Sequence, residues 1–199
     1  MAEPSKTISG LCELRGGSVA VSLDGAEWRT LPGDAVVRAG LRVGLQLDRS
    51  KARELARELR RSRALTYAAR ALGRRDLTRR ELDARLARAG FREPERSSAG
   101  ETLARAGALD DERLARSRAA ELAARGHGDA AIRWDLEQRG IAVEQVDRAL
   151  AELEAEGERA SRIVDDRGAG PATARLLARR GFSDEVVASA AGLGIGYED

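Results

Sequence analysis

Apolar residues recur at helical spacing from about residue 50 onward, and the pattern before that point is different. Ser18-Val19-Ala20-Val21-Ser22-Leu23 alternates small or polar with apolar positions, Asp24-Gly25 is a two-residue hairpin turn, and Glu27-Trp28-Arg29-Thr30-Leu31 can return as a second strand. An isolated hairpin is marginal in water, so it is expected to dock on the rest of the chain with Trp28 as its anchor, a partly mobile extension being the plainer alternative.

From Ser50 the period changes. Leu55, Leu59, Leu65, Ala68, Ala69 and Leu72 form an apolar stripe ending at Gly73, with Arg53, Arg57, Arg60 and Arg61 on the other side and Glu54 and Glu58 offsetting them by i, i+4 pairing. Thr78 and Glu81 have capping-box spacing and open a helix that runs through Leu82 and Leu86 to Gly90. The helix expected over Glu93–Gly107 has Arg96, Ser97, Ser98 and Gly100 where apolar residues belong, and is predicted to be short or frayed. Asp110 should cap a helix carrying Leu114, Ala115, Ala119 and Leu122, and Gly126-His127-Gly128 reads as a flexible turn. Asp129 should then cap a helix with Ile132 and Leu136 inward, and Val146, Leu150 and Leu153 mark the next. Ile163 and Val164 belong to a helix ending near Gly168, Gly170-Pro171 opens another, and Ser183 caps a last one with Val186, Val187 and Ala190.

One phrase recurs. Leu86-Ala87-Arg88-Ala89-Gly90-Phe91, Leu136-Glu137-Gln138-Arg139-Gly140-Ile141 and Leu177-Ala178-Arg179-Arg180-Gly181-Phe182 each join a core leucine to a glycine and a large apolar residue, 50 and then 41 residues apart. Such a phrase is a helix end closed by a glycine with φ > 0 and an apolar residue folding back. Its recurrence predicts a repeated helical unit. The expected architecture is all-α, three tandem three-helix repeats after a small N-terminal β-hairpin-containing extension. The boundaries are 1–48 for the extension, then 50–107, 109–154 and 156–199 for the repeats. Each repeat is too small to bury a core alone and should gain stability by stacking on its neighbours.

Charge adds an asymmetry. Net charge is only +2 over 199 residues. Lys51–Phe91, however, holds 13 Lys/Arg against 5 Asp/Glu, and Arg92 to the end holds 16 against 22. The first repeat is thus cationic and the later ones anionic, a distribution that suits a polyanion at one end and protein at the other. A solvated helix face is the plainer account of the same arginines. With aromatics at 3%, the core must be built from Leu, Val, Ile and Ala.

Enzyme chemistry finds little footing. Lys6 and Lys51 are the only lysines and neither lies in a phosphate-binding loop; Cys12 and His127 are each single, so paired-histidine metal sites and a disulfide within the chain are excluded. The adjacent pairs Asp110-Asp111 and Asp165-Asp166 read as helix-end residues rather than metal ligands. Trp134 reads as facing a surface or an inter-unit seam, with core packing the commoner fate of such a residue and base stacking the minority alternative. No apolar run has membrane-spanning length, and the expectation is a cytoplasmic protein with no membrane partner, metal or cofactor.

Leu109-Asp110-Asp111-Glu112-Arg113-Leu114-Ala115, followed by Gly126, Ile132, Leu136, Arg139-Gly140-Ile141, Val146 and Leu150, resembles the central repeat of the RecX family, regulators of the bacterial recombinase RecA. Ala64 through Leu72, Thr78, Glu81-Leu82, Leu86 and Gly90 resemble that family's first repeat, and Arg179-Arg180-Gly181-Phe182 with Val186 its third. Ile8, Val21-Ser22-Leu23-Asp24-Gly25 and Leu45-Gln46-Leu47-Asp48 are similar to an extension present in some members. Leu114 stands where the family often has Phe, and the third helix of the first repeat is more polar than usual.

The resemblance implies an all-helical, elongated, curved, non-enzymatic protein that binds the RecA filament, and a monomer is expected. It would inhibit ATPase, strand exchange and coprotease activity, or promote filament disassembly, during recombination, DNA repair and the SOS response. Arg53, Arg57, Arg60, Arg61, Arg74, Arg75, Arg79 and Arg80 are the expected contacts to single- and double-stranded DNA, and Arg125, Arg133 and Arg139 the expected recombinase contacts. The alternatives are a general nucleic-acid-binding helical-repeat protein without a recombinase partner, and a helical scaffold that binds only proteins.

Overall fold

The computed structural model describes residues 5–192; the ends of the expected segments, 1–4 and 193–199, lie outside them. The chain forms two compact units. Among the described residues the first comprises 5–75 and 82–108, the second 76–81 and 109–192.

The first unit begins with more sheet than the hairpin predicted from sequence. Strands β1 (Lys6–Leu14), β2 (Ser18–Leu23), β3 (Ala26–Pro32) and β4 (Gln46–Leu47) form one sheet in the order β3-β2-β1-β4, with a short helix α1 (Gly33–Arg38) after β3. The Asp24-Gly25 turn between β2 and β3 is as expected, with φ of 51° and 85°. Positive φ at both positions matches the strand twist, which is why Asp-Gly works there. Strand β1 has no clear alternation in sequence, because Ser9 and Gly10 interrupt its apolar positions where the pairing with β2 also shifts register.

Ile8, Val21, Leu23, Leu31 and Val36 share a core with Leu55 of helix α2 (Arg49–Leu72), and Trp28 packs against that core half-buried, as anticipated. The sheet and α2 therefore fold as one body. Residues on α2 bury two different faces. Up to Ser62 it turns Leu55, Glu58 and Ser62 inward, and beyond that point Ala64, Ala68 and Ala71. The expected stripe is corrected accordingly, since Ala69 is exposed and Glu58 buried. A buried carboxylate needs charged or hydrogen-bonding partners. Glu58 has two, accepting from Arg38 Nε at 3.1 Å and from Arg61 Nη1 at 2.7 Å. Glu54 pairs with Lys51 instead of an arginine, and that hydrogen bond lowers its pKa.

Helices α3 (Arg79–Arg88) and α4 (Glu93–Arg105) follow. At 13 residues α4 is longer than α3, which overturns the expectation of a short or frayed helix. Small residues are its packing device. Ala99, Gly100 and Leu103 are buried as α4 packs along α2, whose second half offers alanines. Polar ties replace the missing apolar contacts: buried Glu95 accepts from the Arg92 N–H at 2.6 Å and from Arg60 Nε at 2.8 Å.

The second unit contains α5 (Asp111–Ala124), α6 (Asp129–Gln138), α7 (Val143–Ala151), α8 (Glu156–Arg167), α9 (Pro171–Arg179) and α10 (Asp184–Ala190). Leu114, Leu122, Ile132, Leu136, Ile141 and Val146 build one apolar cluster, and Ala160, Leu177, Phe182 and Ala190 another. Asp110 caps α5 as predicted, accepting from the Arg113 N–H at 2.9 Å. Asp129 does not cap α6: Gly128 holds the N-cap position, and the Asp129 carboxylate pairs with Arg159. Ser183 is the N-cap of α10 without a side-chain bond.

Candidate functional site

The three recurring glycines close their helices in the same way. The N–H of Phe91 bonds to Leu86 O at 3.2 Å, that of Ile141 to Leu136 O at 3.2 Å, and that of Phe182 to Leu177 O at 3.1 Å. Gly90, Gly140 and Gly181 have φ of 86°, 82° and 77°. These are Schellman ends, closed by local geometry. What differs is the company they keep. A Cβ on Gly90 would meet nothing within 4 Å, whereas one on Gly140 would lie 2.1 Å from Arg80 Cδ and one on Gly181 2.6 Å from the Ala131 nitrogen.

That difference marks two equivalent joints within the second unit. In one, the start of α3 meets the end of α6. Thr78 Oγ1 donates to Arg139 O at 2.7 Å, and the Arg79 N–H donates to Asp111 Oδ1 at 2.8 Å. In the other, the start of α6 meets the end of α9. The Gly128 N–H donates to Arg180 O at 2.8 Å, and the Asp129 N–H to Glu156 Oε1 at 2.7 Å. Each joint sets a helix start against a carbonyl of a glycine-closed helix end, which accepts from the Thr78 hydroxyl in one and the Gly128 N–H in the other, and satisfies a free N–H with a carboxylate from the first turn of another helix. The capping box predicted for Thr78 and Glu81 is present, with Thr78 N–H to Glu81 Oε2 at 3.0 Å and Glu81 N–H to Thr78 Oγ1 at 3.1 Å. Gly126-His127-Gly128 is not the flexible turn expected. Gly128 is buried, and a Cβ there would lie 2.3 Å from Gly181 O.

An arginine locks each joint. Arg139 pairs with Glu81 through Nε at 3.1 Å and Nη2 at 3.0 Å, and reaches Asp76 O at 3.3 Å. Arg159, buried, donates to His127 O at 2.8 Å and Glu154 O at 3.0 Å and pairs with Asp129. Burial is the leading cause that raises the Asp111 pKa, ahead of the hydrogen bond from Arg79, which lowers it. Across α5 and α6, Arg118 grips Asp135 at 2.9 and 3.0 Å; that hydrogen bonding lowers the Asp135 pKa and raises that of Arg118.

The eight arginines expected at DNA divide between the units. Arg53, Arg57, Arg60 and Arg61 share one exposed side of α2, and Arg74 and Arg75 are exposed just beyond it, all in the first unit. Arg60 and Arg61 are also tied to Glu95 and Glu58. Arg79 and Arg80 belong to the second unit, where the Arg80 stem lies over Gly140. Of the three expected partner contacts, Arg125 is exposed beside Glu121, and Arg133 pairs with Asp147 at 2.7 Å. Arg139 is engaged inside the second unit, as described. Trp134 is 65% exposed, which fits the surface position expected for it and not core packing. No group of His, Cys, Asp or Glu side chains arranged to hold a metal ion occurs among the described residues, and no described helix is long and apolar enough to cross a membrane.

The RecX second three-helix domain matches residues 110–150. A regulatory protein RecX from Halorhodospira halophila is 38% identical over 134 residues, covering 62% of this chain and 83% of that protein. The chain belongs to the RecX family. A regulatory protein RecX from a Mycobacterium species (strain JLS) is 32% identical over 145 residues, covering 64% of this chain and 79% of its own length. The crystal structure of a regulatory protein RecX superposes with a TM-score of 0.78 at 20% identity, covering 91% of this chain and 96% of the other. RecX from Lactobacillus salivarius gives 0.58 at 18% identity, covering 67% and 96%. These likenesses establish a shared RecX fold for a mostly helical chain with a small N-terminal β region.

Proposed function

We propose that this RecX-family chain is a non-enzymatic regulator of RecA that binds the recombinase filament on DNA and inhibits its ATPase, strand exchange and coprotease activities. Family membership carries the reading, because the relatives at 38% and 32% identity are regulatory proteins. In this reading residues 50–107, 109–154 and 156–199 act as three tandem three-helix units after the 1–48 extension. The two equivalent joints support that division, since they repeat one set of contacts at successive second helices.

Exposed arginines along one side of α2, with Arg74 and Arg75, suit phosphate contacts, which depend on charge rather than sequence. Arg125, Arg133 and the exposed Trp134 suit a protein partner, because aromatic and arginine side chains dominate interface energetics. Arg139 would serve by holding its joint in place. Titration of the purified chain into RecA hydrolysing ATP on single-stranded DNA tests the reading. Suppression well below one chain per recombinase is expected. Suppression only at ratios that strip the recombinase from DNA would favour general nucleic-acid binding instead.

A further inference from the structure

The strand position outside β1 is only half filled. β4 pairs with Lys6 and Thr7, and Ile8 adds hydrogen bonds with Gly44 and Leu45. From Gly10 to Leu14, β1 is paired with β2 on one side, and no described strand lies on the other. A free row of main-chain groups is a template for another strand unless something covers or blunts it. Beside this stretch lies a groove of about 560 Å³ lined by Leu11, Leu14, Val36, Val37 and Leu41. Val37 is 78% exposed and Leu14 44%, so this apolar surface is open.

The groove lies on the core side of the sheet. Leu11 and Glu13 stand opposite Val21 and Val19 on β2, and both valines belong to the buried cluster that includes Val36. An added strand would extend that core under α1, gaining apolar burial as well as main-chain hydrogen bonds. Charge narrows the occupant. Asp34 at the groove is held by Arg38 and Ser62, whereas no ion pair reaches the exposed Glu13 carboxylate among the described residues. A second copy of β1 paired antiparallel about Glu13 would set the two carboxylates side by side. A segment with a cation there would be attracted.

We propose that the outer edge of β1 from Gly10 to Leu14 docks an extended segment of a partner protein, with apolar side chains at alternate positions and a lysine or arginine facing Glu13. This is strand addition, in which the main chain gives affinity and the alternate side chains give specificity. The test uses the full chain and a fluorescent eight-residue peptide that alternates valine with threonine and carries one central lysine. Saturable anisotropy, with amide shifts confined to β1 and α1, is expected. N-methylation of the peptide's edge-facing amides should weaken binding at least about tenfold, and Val37→Asp, at an exposed position, should do the same. Glu13→Lys should shift preference by about tenfold toward a peptide with glutamate in place of lysine. Absence of saturation up to about 1 mM peptide, or indifference to N-methylation, would overturn the proposal. So would sedimentation showing a dimer that cross-links through Cys12, since the occupant would then be a second copy.

Discussion

Gly128 is the sharpest test of the joint between α6 and α9. Its φ of −82° suits any residue, so backbone strain plays no part in replacing it by alanine. The obstacle is space: the new Cβ would lie 2.3 Å from Gly181 O and Phe182 N, both backbone atoms that no rotamer change can move. Overpacking of this kind costs about 1–3 kcal/mol. Displacement would also stretch the bonds from Gly128 N–H to Arg180 O and from Ala130 N–H to Gly181 O, 2.8 and 3.1 Å long, each contributing about 1 kcal/mol. Gly128→Ala should therefore destabilise by about 2–4 kcal/mol and lower Tm by roughly 10 °C. Hydrogen exchange should locate the loss, with α9 and α10 losing protection while α5 to α7 keep theirs. Gly157→Ala is the control, because a Cβ there meets nothing within 4 Å, and it should leave Tm unchanged or raise it slightly. If both variants shift Tm equally, or if exchange in α9 is unaltered, the joint does not hold these helices together.

Asp111 and Asp135 should respond to pH in opposite senses. The raised Asp111 pKa means its charge opposes folding at neutral pH and that its contribution improves as pH falls through that value; Asp111→Asn, which keeps an oxygen for the Arg79 N–H, should match or exceed the parent in urea. The lowered Asp135 pKa means its pairing stabilises above the unfolded value and is lost as pH falls below it. Asp135→Asn should cost about 1 kcal/mol at pH 7 and progressively less as pH falls below the usual carboxylate range, read from denaturation midpoints across a pH series. Reversing Arg53 and Arg57 to glutamate, which spares the Arg60–Glu95 and Arg61–Glu58 pairs, should weaken single-stranded DNA binding and flatten its log–log salt slope by roughly 1.4; an unchanged slope would make these arginines a solvated face. Trp134→Ala should leave Tm within about 1 °C yet reduce suppression of RecA ATP hydrolysis, and full suppression by the variant would remove Trp134 from the partner surface.

Sequence alone determined the local events. Helix ends at Gly90, Gly140 and Gly181, the Asp24-Gly25 turn, the Thr78–Glu81 capping box and the Asp110 cap were legible because each involves residues no more than five apart. The family resemblance was legible for the same reason, since its motifs are these helix ends and the stripes between them. What joins one helix to another was not. Thr78 meets Arg139 across 61 residues, Asp129 meets Glu156 across 27, and Arg60 meets Glu95 across 35. Nothing in the spacing around Gly128 says that a backbone will lie against it, so a packed joint read as a loose turn. Polarity likewise misjudged α4, because an alanine-and-glycine face packs by close approach rather than by apolar bulk. Only folding decided which carboxylates are buried, since Glu58 and Glu95 look like surface residues until the arginines that neutralise them arrive from other turns and helices.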